Sequence, residues 1–203
     1  MSMQEKQILV VASNNKDKLK EIGAILSPLP VIVLSANDFP DLAPVIEDRD
    51  TIEGNAMKKA LETAVATGHF CLADDTGLFV EALNGAPGVF AARFAGEGCT
   101  YRDNRLKLIK ELGSNPLRQA DFKTVMALAS PDGILSTQLG SVSGTITYEE
   151  KGEKGFGYDA VFEVDGTGKT YAEMDIHEKN TLSHRAIALR KMLPTLQDLF
   201  SVE

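Results

Sequence analysis

The sequence predicts an α/β protein whose β-sheet is mixed rather than purely parallel, with helices flanking its faces. Strand-like and helix-like segments alternate over the first half of the chain, which is typical of parallel strand pairing. Several strand-like segments then follow one another, which favours antiparallel pairing. No internal repeat, low-complexity tract or clear linker interrupts the 203 residues. We therefore expect a single domain over residues 1–203, built as one body or as two small lobes.

The first segments of the chain predict two strands with a helix between them. Residues 8–13 are short, apolar and rich in Val and Ile, as buried strands are, and residues 31–35 predict a second strand. Residues 15–26 predict an amphipathic helix with Ser13 or Asn14 as its N-cap. The apolar side chains expected on the buried face of this helix are Leu19, Ile22, Ile25 and Leu26.

The next segments place two neighbouring carboxylates, Asp74 and Asp75, between two apolar runs. Residues 51–66 predict a second helix, and the apolar runs are 69–73 and 77–83. Apolar side chains recur every four residues in this helix, at Met57, Leu61 and Val65. An ionised carboxylate is costly to remove from water unless something pairs with it. We therefore expect the acidic pair to have a basic, backbone N–H or metal partner.

The second half of the chain predicts a hairpin and several shorter elements. Residues 122–140 indicate two strands joined by a turn at 131–133, where Pro, Asp and Gly follow one another. The alternating pattern of residues 141–148 indicates that the sheet continues. The remaining expected elements are a helix over 101–112, a strand over 159–164 and a closing helix over 180–193.

Composition and charge exclude several classes of function. No apolar run approaches the roughly 20 residues that a membrane-spanning helix needs. Cys71 and Cys99 are too few for a disulfide scaffold and lack the spacing of a metal site. The net charge of −8 argues against broad binding to nucleic acid, although a local basic cluster can still bind a small anion. With its polar N-terminus, the chain is expected to be cytoplasmic, without nucleic-acid or membrane partners.

Residues 13–18 form the first of four segments with chemical potential. They lie between a predicted strand and a predicted helix, where backbone N–H groups at the helix start bind anions. Lys16 and Lys18 would add positive charge at this point. Considered alone, the segment is better explained as a capped helix with solvated lysines.

The acidic pair is the second such segment. Carboxylate oxygens suit Mg²⁺ or Mn²⁺, so a hard-cation site is one interpretation. The candidates for a further acidic ligand are Glu47, Asp48 and Asp50. A solvent-facing turn at Asp75, Thr76 and Gly77 is another interpretation. The triplet also matches the catalytic triplet of aspartic proteases, but one triplet would need a symmetric dimer, and the long amphipathic helices do not fit an all-β protease.

A glycine-rich segment around residue 156 is the third. Gly152, Gly155 and Gly157 allow a ligand to approach the backbone closely. Phe156 and Tyr158 offer aromatic faces on which a nucleobase can stack. The structural alternative is a glycine loop before a strand, with both aromatic rings in the core.

The fourth segment combines Lys179, His184 and Arg185 near the start of the closing helix. For any one of these residues a solvated helix face is the simpler explanation. By contrast, the stretch GTGKT at 166–170 does not complete a phosphate-binding P-loop, because Glu163 occupies the position of the required glycine.

Taken together, these segments resemble the inosine triphosphate pyrophosphatase family. The matching stretches occur in the family's order and cover nearly the whole chain: SNNKDK, ADDTGL, GAPGVFAARFAGE, GFGYDAVF and EKNTLSHRAIAL. The resemblance implies Mg²⁺-dependent hydrolysis of non-standard purine nucleoside triphosphates (ITP, dITP and XTP) to the monophosphate and pyrophosphate, with Mn²⁺ as a substitute ion. It also implies an elongated mixed sheet flanked by helices, two lobes with a central active-site cleft, and a homodimer.

The resemblance also assigns site residues. Asp75 matches the catalytic, metal-binding aspartate, and Glu47 matches a second acid on the metal side. The positions that match substrate contacts are Ser13, Asn14, Asn15, Lys16, Asp17, Lys18, Thr76, Phe156, Gly157, Tyr158, Asp159, Lys179, His184 and Arg185. Two positions depart from the pattern: Asn14 stands where glycine is frequent, and Gly54 stands where an acid often precedes Asn55.

These assignments imply a chemistry for the site. Asp75 would hold the metal ion and take a proton from the attacking water, with Asp74 supporting it. Lys179 and Arg185 can only donate hydrogen bonds. They would therefore bind the 6-oxo group of inosine and xanthosine, which is an acceptor, but not the 6-amino group of adenosine, which is a donor. Stacking on Phe156 would hold any purine. A regulatory protein that binds a purine nucleotide without hydrolysing it is the alternative class.

Overall fold

A computed structural model describes residues 7–201, in which eight β-strands form one mixed sheet accompanied by five α-helices. The strands are β1 (Ile8–Val11), β2 (Ile32–Ser35), β3 (Phe70–Val80), β4 (Pro87–Gly88), β5 (Gln119–Ser130), β6 (Gly133–Ile146), β7 (Phe162–Val164) and β8 (Lys169–Thr170). The helices are α1 (Lys16–Leu26), α2 (Ile52–Thr67), α3 (Tyr101–Leu112), α4 (Ile176–Leu182) and α5 (His184–Phe200). Within the described range, no helix is both long and apolar enough to cross a membrane.

The strand order confirms the predicted mixed sheet. Neighbouring strands follow the order β2-β1-β3-β5-β6-β7-β8, and β4 pairs with β3. β1 runs parallel to both β2 and β3, whereas β6, β7 and β8 pair antiparallel in sequence. The parallel pairs arise because helices separate their strands along the chain, while short turns connect β5 to β6 and β7 to β8. The predicted turn of the hairpin at 131–133 lies between β5 and β6.

The chain divides into two compact units, each with its own core. Of the described residues, unit 1 contains 7–75, 125–139 and 185–201, and unit 2 contains 76–124 and 140–184. The larger core side chains of unit 1 are Leu9, Val11, Ile22, Leu26, Leu72, Met126, Leu128, Leu189, Met192 and Leu196. Those of unit 2 are Leu78, Leu108, Phe122, Ile146, Tyr158, Phe162 and Tyr171.

The N-cap of α1 differs from the prediction. Asn15 caps the helix, because its Oδ1 accepts hydrogen bonds from the amides of Asp17 (2.9 Å) and Lys18 (3.3 Å). The prediction of Ser13 or Asn14 as the cap was therefore wrong by one or two residues. The predicted buried face of this helix is confirmed, since all four of its apolar residues pack in or against the core of unit 1.

The buried face of α2 consists of alanines rather than of the larger apolar residues. Ala56, Ala60 and Ala64 are fully buried, whereas Val65 is 59% exposed. The buried alanines and the predicted apolar residues Met57, Leu61 and Val65 both recur every four residues, so periodicity alone does not show which set is buried. The small alanine side chains bring the helix backbone close to its neighbours, which positions the polar residues of α2 described below.

Two further boundaries differ from the sequence prediction. The two apolar runs around the acidic pair form one continuous strand, β3, so Asp75 and Thr76 lie within a strand and not in a turn. The closing helix is interrupted at Ser183, which ends α4 in an extended conformation before α5 begins.

Candidate active site

Asp75 lies on β3 beside Lys59 of α2 and Glu47 of the segment before α2. Lys59 Nζ is 3.6 Å from Asp75 Oδ1 and 2.5 Å from Glu47 Oε1. One ammonium group thus bridges the two carboxylates that the sequence assigns to a metal ion. Burial disfavours the charge on Lys59, but the surrounding carboxylates, Asp75 first among them, raise the pKa of its ammonium group.

The carboxylate of Asp75 has one oxygen atom available to a ligand. Asp75 is only 6% exposed, and its Oδ2 is buried without a hydrogen-bond partner among residues 7–201. Burial raises the pKa of Asp75, and the negative charge of Glu47 adds to that rise while Lys59 opposes it. Because an unsatisfied buried oxygen is costly, a cation or a polar substrate group is the expected partner of Oδ2.

The donor set fits Mg²⁺. Asp75 and Glu47 offer hard carboxylate oxygens, and Mg²⁺ is usually bound through one or two carboxylates together with water and substrate phosphates. In the described part of the chain, no group of three or more His, Cys, Asp or Glu residues is arranged to hold a metal ion. Mg²⁺ at this place would therefore rely on two protein carboxylates and on oxygens from the substrate or solvent.

The segment that carries Glu47 is tied to α2 by Asn55. The Oδ1 atom of Asn55 accepts a hydrogen bond of 2.9 Å from the amide of Arg49. A Cβ atom at Gly54 would lie 2.9 Å from Cβ of Arg49, so this close approach leaves no room for a side chain. An acid at residue 54 would therefore require the segment that contains Arg49 to shift.

Asp74, the other member of the acidic pair, has cationic partners from the protein itself. Its Oδ2 lies 3.0 Å from Lys18 Nζ and 3.2 Å from Arg185 Nε. Arg185 also contacts Glu21, with 2.5 Å between Nη1 and Oε2. Burial opposes the ionisation of Asp74, but the charges of Lys18 and Arg185 outweigh it and hold the pKa of Asp74 well below its usual range. The predicted contact of Arg185 with a base stays a prediction.

Residues 13–18, the predicted phosphate loop, lead from β1 into α1 in unit 1. In this loop Asn14, Lys16 and Asp17 are exposed, and Ser13, Asn15 and Lys18 are half-buried. The Asn15 cap already uses the amides of Asp17 and Lys18. An anion bound here would therefore depend on the ammonium group of Lys16 and on the other amides of the loop.

Unit 2 brings together Phe156, Asp159 and Lys179 from the predicted base site. Asp159 Oδ2 accepts a hydrogen bond of 2.6 Å from Lys179 Nζ and one of 2.8 Å from the amide of Phe156. Lys179 Nζ also lies 4.8 Å from the centre of the Phe156 ring. A side chain at Gly155, whose φ is +71°, would collide with the carboxylate of Asp159. The loop and Lys179 of α4 therefore place an aromatic ring, a donor and an acceptor next to one another.

Three other predicted residues of unit 2 are held by contacts within that unit. The Tyr158 hydroxyl donates to the carbonyl of Ala91 at 2.9 Å. The ring of His184 stacks on Phe122, with 4.2 Å between ring centres and an interplanar angle of 6°. Thr76 shares a hydrogen bond of 2.7 Å with Thr124. These contacts orient the side chains; contact with substrate stays a prediction for each of them.

Sequence reasoning missed the roles of Glu21 and Lys59. Glu21 lies three residues after Lys18 on α1, a spacing that places both side chains on one face and is visible in the sequence. Lys59 follows Asn55 by four residues on α2 and therefore lies on the same face. The helical spacing of both residues could be read from the sequence, but their partners could not. Glu21 contacts Arg185, and Lys59 contacts Asp75, both of which lie far away along the chain.

Comparison with known proteins confirms the resemblance drawn from the motifs. The sequence model of the Ham1 family matches residues 9–195. The dITP/XTP pyrophosphatase of Desulforamulus reducens is 47% identical over 194 residues, which are 95% of this chain and 96% of that protein. The dITP/XTP pyrophosphatase of Geobacter sulfurreducens is 49% identical over 183 residues, which are 89% and 92% of the two chains.

Solved structures agree with this assignment. The Ham1 protein of Staphylococcus aureus has a TM-score of 0.85 and 36% identity, and the match covers 95% of this chain and 100% of that one. A HAM1 protein from Coxiella burnetii has a TM-score of 0.86 and 36% identity, with coverage of 95% and 99%. Since sequence and fold both match over almost their full lengths, the chain belongs to the Ham1 family.

Proposed function

We propose that this protein is a nucleoside triphosphate pyrophosphatase that hydrolyses ITP, dITP and XTP to the monophosphate and pyrophosphate, and so removes non-standard purines from the nucleotide pool. Relatives named dITP/XTP pyrophosphatase at 47% and 49% identity support this assignment. The structural observation that carries it is Asp75 Oδ2, buried and without a hydrogen-bond partner among the described residues, beside Glu47 and Lys59.

Asp75 and Glu47 are the residues proposed to hold Mg²⁺, with Mn²⁺ as a substitute. When bound, the ion would supply positive charge to the phosphate oxygens during displacement at phosphorus. Lys59 contacts both carboxylates, and we assign its ammonium group to the phosphate side of the substrate as well.

Asp75 is also proposed to take the proton of the attacking water. Burial raises the pKa of its carboxyl group, which favours proton acceptance, whereas a bound cation would lower that pKa. Oδ1 is 3.6 Å from Lys59 Nζ, which is too long for a strong hydrogen bond. We assign the proton to Oδ1 and the cation to Oδ2. Attack at the α phosphorus then releases pyrophosphate.

The two ends of the nucleotide are assigned to different residues. The triphosphate is assigned to the 13–18 loop, where Lys16 is exposed. The purine is assigned to Phe156, which would stack on the base, and to Lys179, which would donate to a 6-oxo group. A 6-amino group is itself a donor, so it would face the ammonium group of Lys179, which also donates to Asp159, without accepting a hydrogen bond from it.

We further propose that the protein is a homodimer, with residues 85–97 at the contact. Phe90 in this segment is 53% exposed, and the guanidinium of Arg93 lies 5.2 Å from the centre of its ring. Exposed aromatic and arginine side chains are enriched at protein interfaces.

Product analysis separates this proposal from a nucleotide-binding protein that does not hydrolyse its ligand. The protein is incubated with ITP and Mg²⁺, and pyrophosphate, orthophosphate and IMP are quantified. The proposal predicts equimolar IMP and pyrophosphate and no IDP. Tight binding of ITP without product would support the regulatory alternative, and release of orthophosphate with IDP would contradict cleavage at the α phosphorus.

A further inference from the structure

The glycine loop of unit 2, residues 152–159, depends on hydrogen bonds from polar side chains for its conformation. It contains three glycines with positive φ angles, Gly152 (+82°), Gly155 (+71°) and Gly157 (+58°). Glycine-rich backbone has many accessible conformations, so holding one of them requires specific contacts. Residues of the loop also line a small pocket of about 110 Å³. Part of the loop thus borders open space rather than a packed core.

Arg105 of α3 donates one of these hydrogen bonds from outside the loop. Its Nη1 atom donates a hydrogen bond of 2.8 Å to the carbonyl of Gly157. Its Nε atom donates to Glu150 Oε1 at 2.5 Å, which orients the planar guanidinium group toward the loop. The Arg105 side chain is 17% exposed, so solvent screens these contacts only in part.

Phe156 lies between two anchored backbone groups. Its own amide is bound by Asp159 (2.8 Å), and the carbonyl of the following residue, Gly157, is bound by Arg105 (2.8 Å). Tyr101, one helical turn before Arg105 on the same face of α3, contacts the Phe156 ring with 6.0 Å between ring centres. One face of α3 therefore supports the aromatic ring that is assigned to the purine.

We propose that Arg105 is a positioning residue for the purine: by holding the Gly157 carbonyl, it fixes the glycine loop so that the Phe156 ring is ready to stack on the base. This inference rests on the proposed function. It assigns to α3 a role in nucleoside affinity that the motifs do not include. Because Arg105 acts on the base end alone, its loss should affect the binding of a nucleoside group and not the binding of phosphate.

The test replaces Arg105 by Met, which keeps the length of the side chain and removes its donors. Arg102→Met is the matched control, because Arg102 is on the same helix, is 70% exposed and approaches Glu150 only to 3.9 Å. The measurements are kcat and KM for ITP, and the inhibition constants of IMP and of pyrophosphate. Loss of a hydrogen bond from a charged donor predicts that KM and the IMP constant rise about tenfold in Arg105→Met. The value of kcat and the pyrophosphate constant should stay within about twofold of wild type, as for a loss of uniform binding.

Several outcomes overturn the inference. Unchanged KM and unchanged IMP inhibition in Arg105→Met contradict it, and so does an equal weakening of IMP and pyrophosphate, which would indicate a general structural defect. If Arg105→Met does not fold, Glu150→Gln removes the charge that orients the guanidinium, and it should raise the IMP constant about threefold without changing that of pyrophosphate. No such rise would contradict the inference.

A further readout does not depend on turnover. Hydrogen exchange of the amides in residues 152–159 should accelerate in Arg105→Met while exchange in the core strands stays unchanged. A different result would contradict the proposed function alone, namely wild-type protein that binds IMP but releases no pyrophosphate from ITP. If the wild-type protein also does not bind IMP, both proposals are overturned.

Discussion

The two neighbouring aspartates of β3 differ because successive side chains on a strand point to opposite faces of the sheet. Asp74 pairs with Lys18 and Arg185, so its negative charge is balanced by the protein. Asp75 contacts Lys59 at 3.6 Å and has a buried oxygen without a partner in residues 7–201. We therefore expect Asp74 to serve stability and Asp75 to serve catalysis.

Replacing Asp75 by Asn should abolish most of the activity and leave the fold intact. The side chain keeps its shape but loses the charge that would hold Mg²⁺ and the basicity that would accept a proton. The expected fall in kcat is about 10²–10⁴-fold, the usual contribution of a general base. Pyrophosphate release from ITP measures kcat, and circular dichroism checks the fold.

The matched variant Asp74→Asn should behave in the opposite way. It leaves buried cations with less compensating charge, so we expect the free energy of unfolding to fall by roughly 3–5 kcal/mol in urea titrations. Near-normal turnover in Asp75→Asn, or a larger loss of stability in Asp75→Asn than in Asp74→Asn, would contradict this division of roles.

Lys16→Ala should weaken the use of the triphosphate without changing the melting temperature. Lys16 is exposed at the start of α1, so it contributes little to packing, and its charge is available to a phosphate. We expect KM for ITP to rise about tenfold. Lys20→Ala, also exposed on α1, is the control and should be near wild type. A fall in melting temperature with normal kinetics per folded molecule would make Lys16 structural.

At the scale of elements, the sequence predicted most strands and helices because their apolar patterns are local. The bounds of α3 match the predicted 101–112, and the hairpin turn lies where Pro131, Asp132 and Gly133 placed it. The continuous strand through Asp74 and Asp75 was missed, because Asp-Thr-Gly favours a turn locally while pairing with distant strands decides the outcome.

The candidate site was predictable only in part. The motifs predicted Asp75, Glu47 and Lys179 as site residues, which stays a prediction, but not that Lys59 bridges the first two. That contact depends on where α2 lies against β3. The face of α2 that is buried consists of alanines, which have the same four-residue spacing as Met57, Leu61 and Val65. Long-range contacts of this kind have no signal in a single sequence.

Arg118, the residue before β5, should be important for the stability of unit 2. It is 1% exposed, and its guanidinium donates to the carbonyls of Gly113, Ile146 and Thr147. Arg118→Met would leave these buried acceptors unsatisfied, so we expect the free energy of unfolding to fall by about 2–4 kcal/mol in urea titrations. A loss below about 0.5 kcal/mol, as for an ordinary surface substitution, would show that water replaces the guanidinium.

At the scale of the whole molecule, we expect a homodimer in solution. Light scattering at micromolar concentration should give twice the mass of one chain. Phe90→Asp places a charge in the proposed contact and should shift the mass toward that of one chain. Leu117→Asp is the control, because Leu117 is as exposed (63%) but lies outside residues 85–97. A single-chain mass for the wild type would contradict the proposal.

Base choice is the second expectation at this scale, and it follows from the proposed purine site with its hydrogen-bond donor. The stacking ring of Phe156 suits any purine, whereas Lys179 can only donate. Lys179 donates to Asp159 at 2.6 Å, and we propose that another of its N–H groups donates to a 6-oxo purine, whereas the 6-amino group of adenine would place a second donor against it. A mismatch of this kind discriminates far more strongly than a change of size in an apolar pocket.

The most direct test of this account is the ratio of kcat/KM for ITP to that for ATP, measured as pyrophosphate release in the presence of Mg²⁺. The account predicts that the ratio exceeds about 100, that XTP behaves like ITP, and that chelation of the metal with EDTA abolishes both activities. Equal kcat/KM values for ITP and ATP would contradict the account, even if pyrophosphate were the product of both.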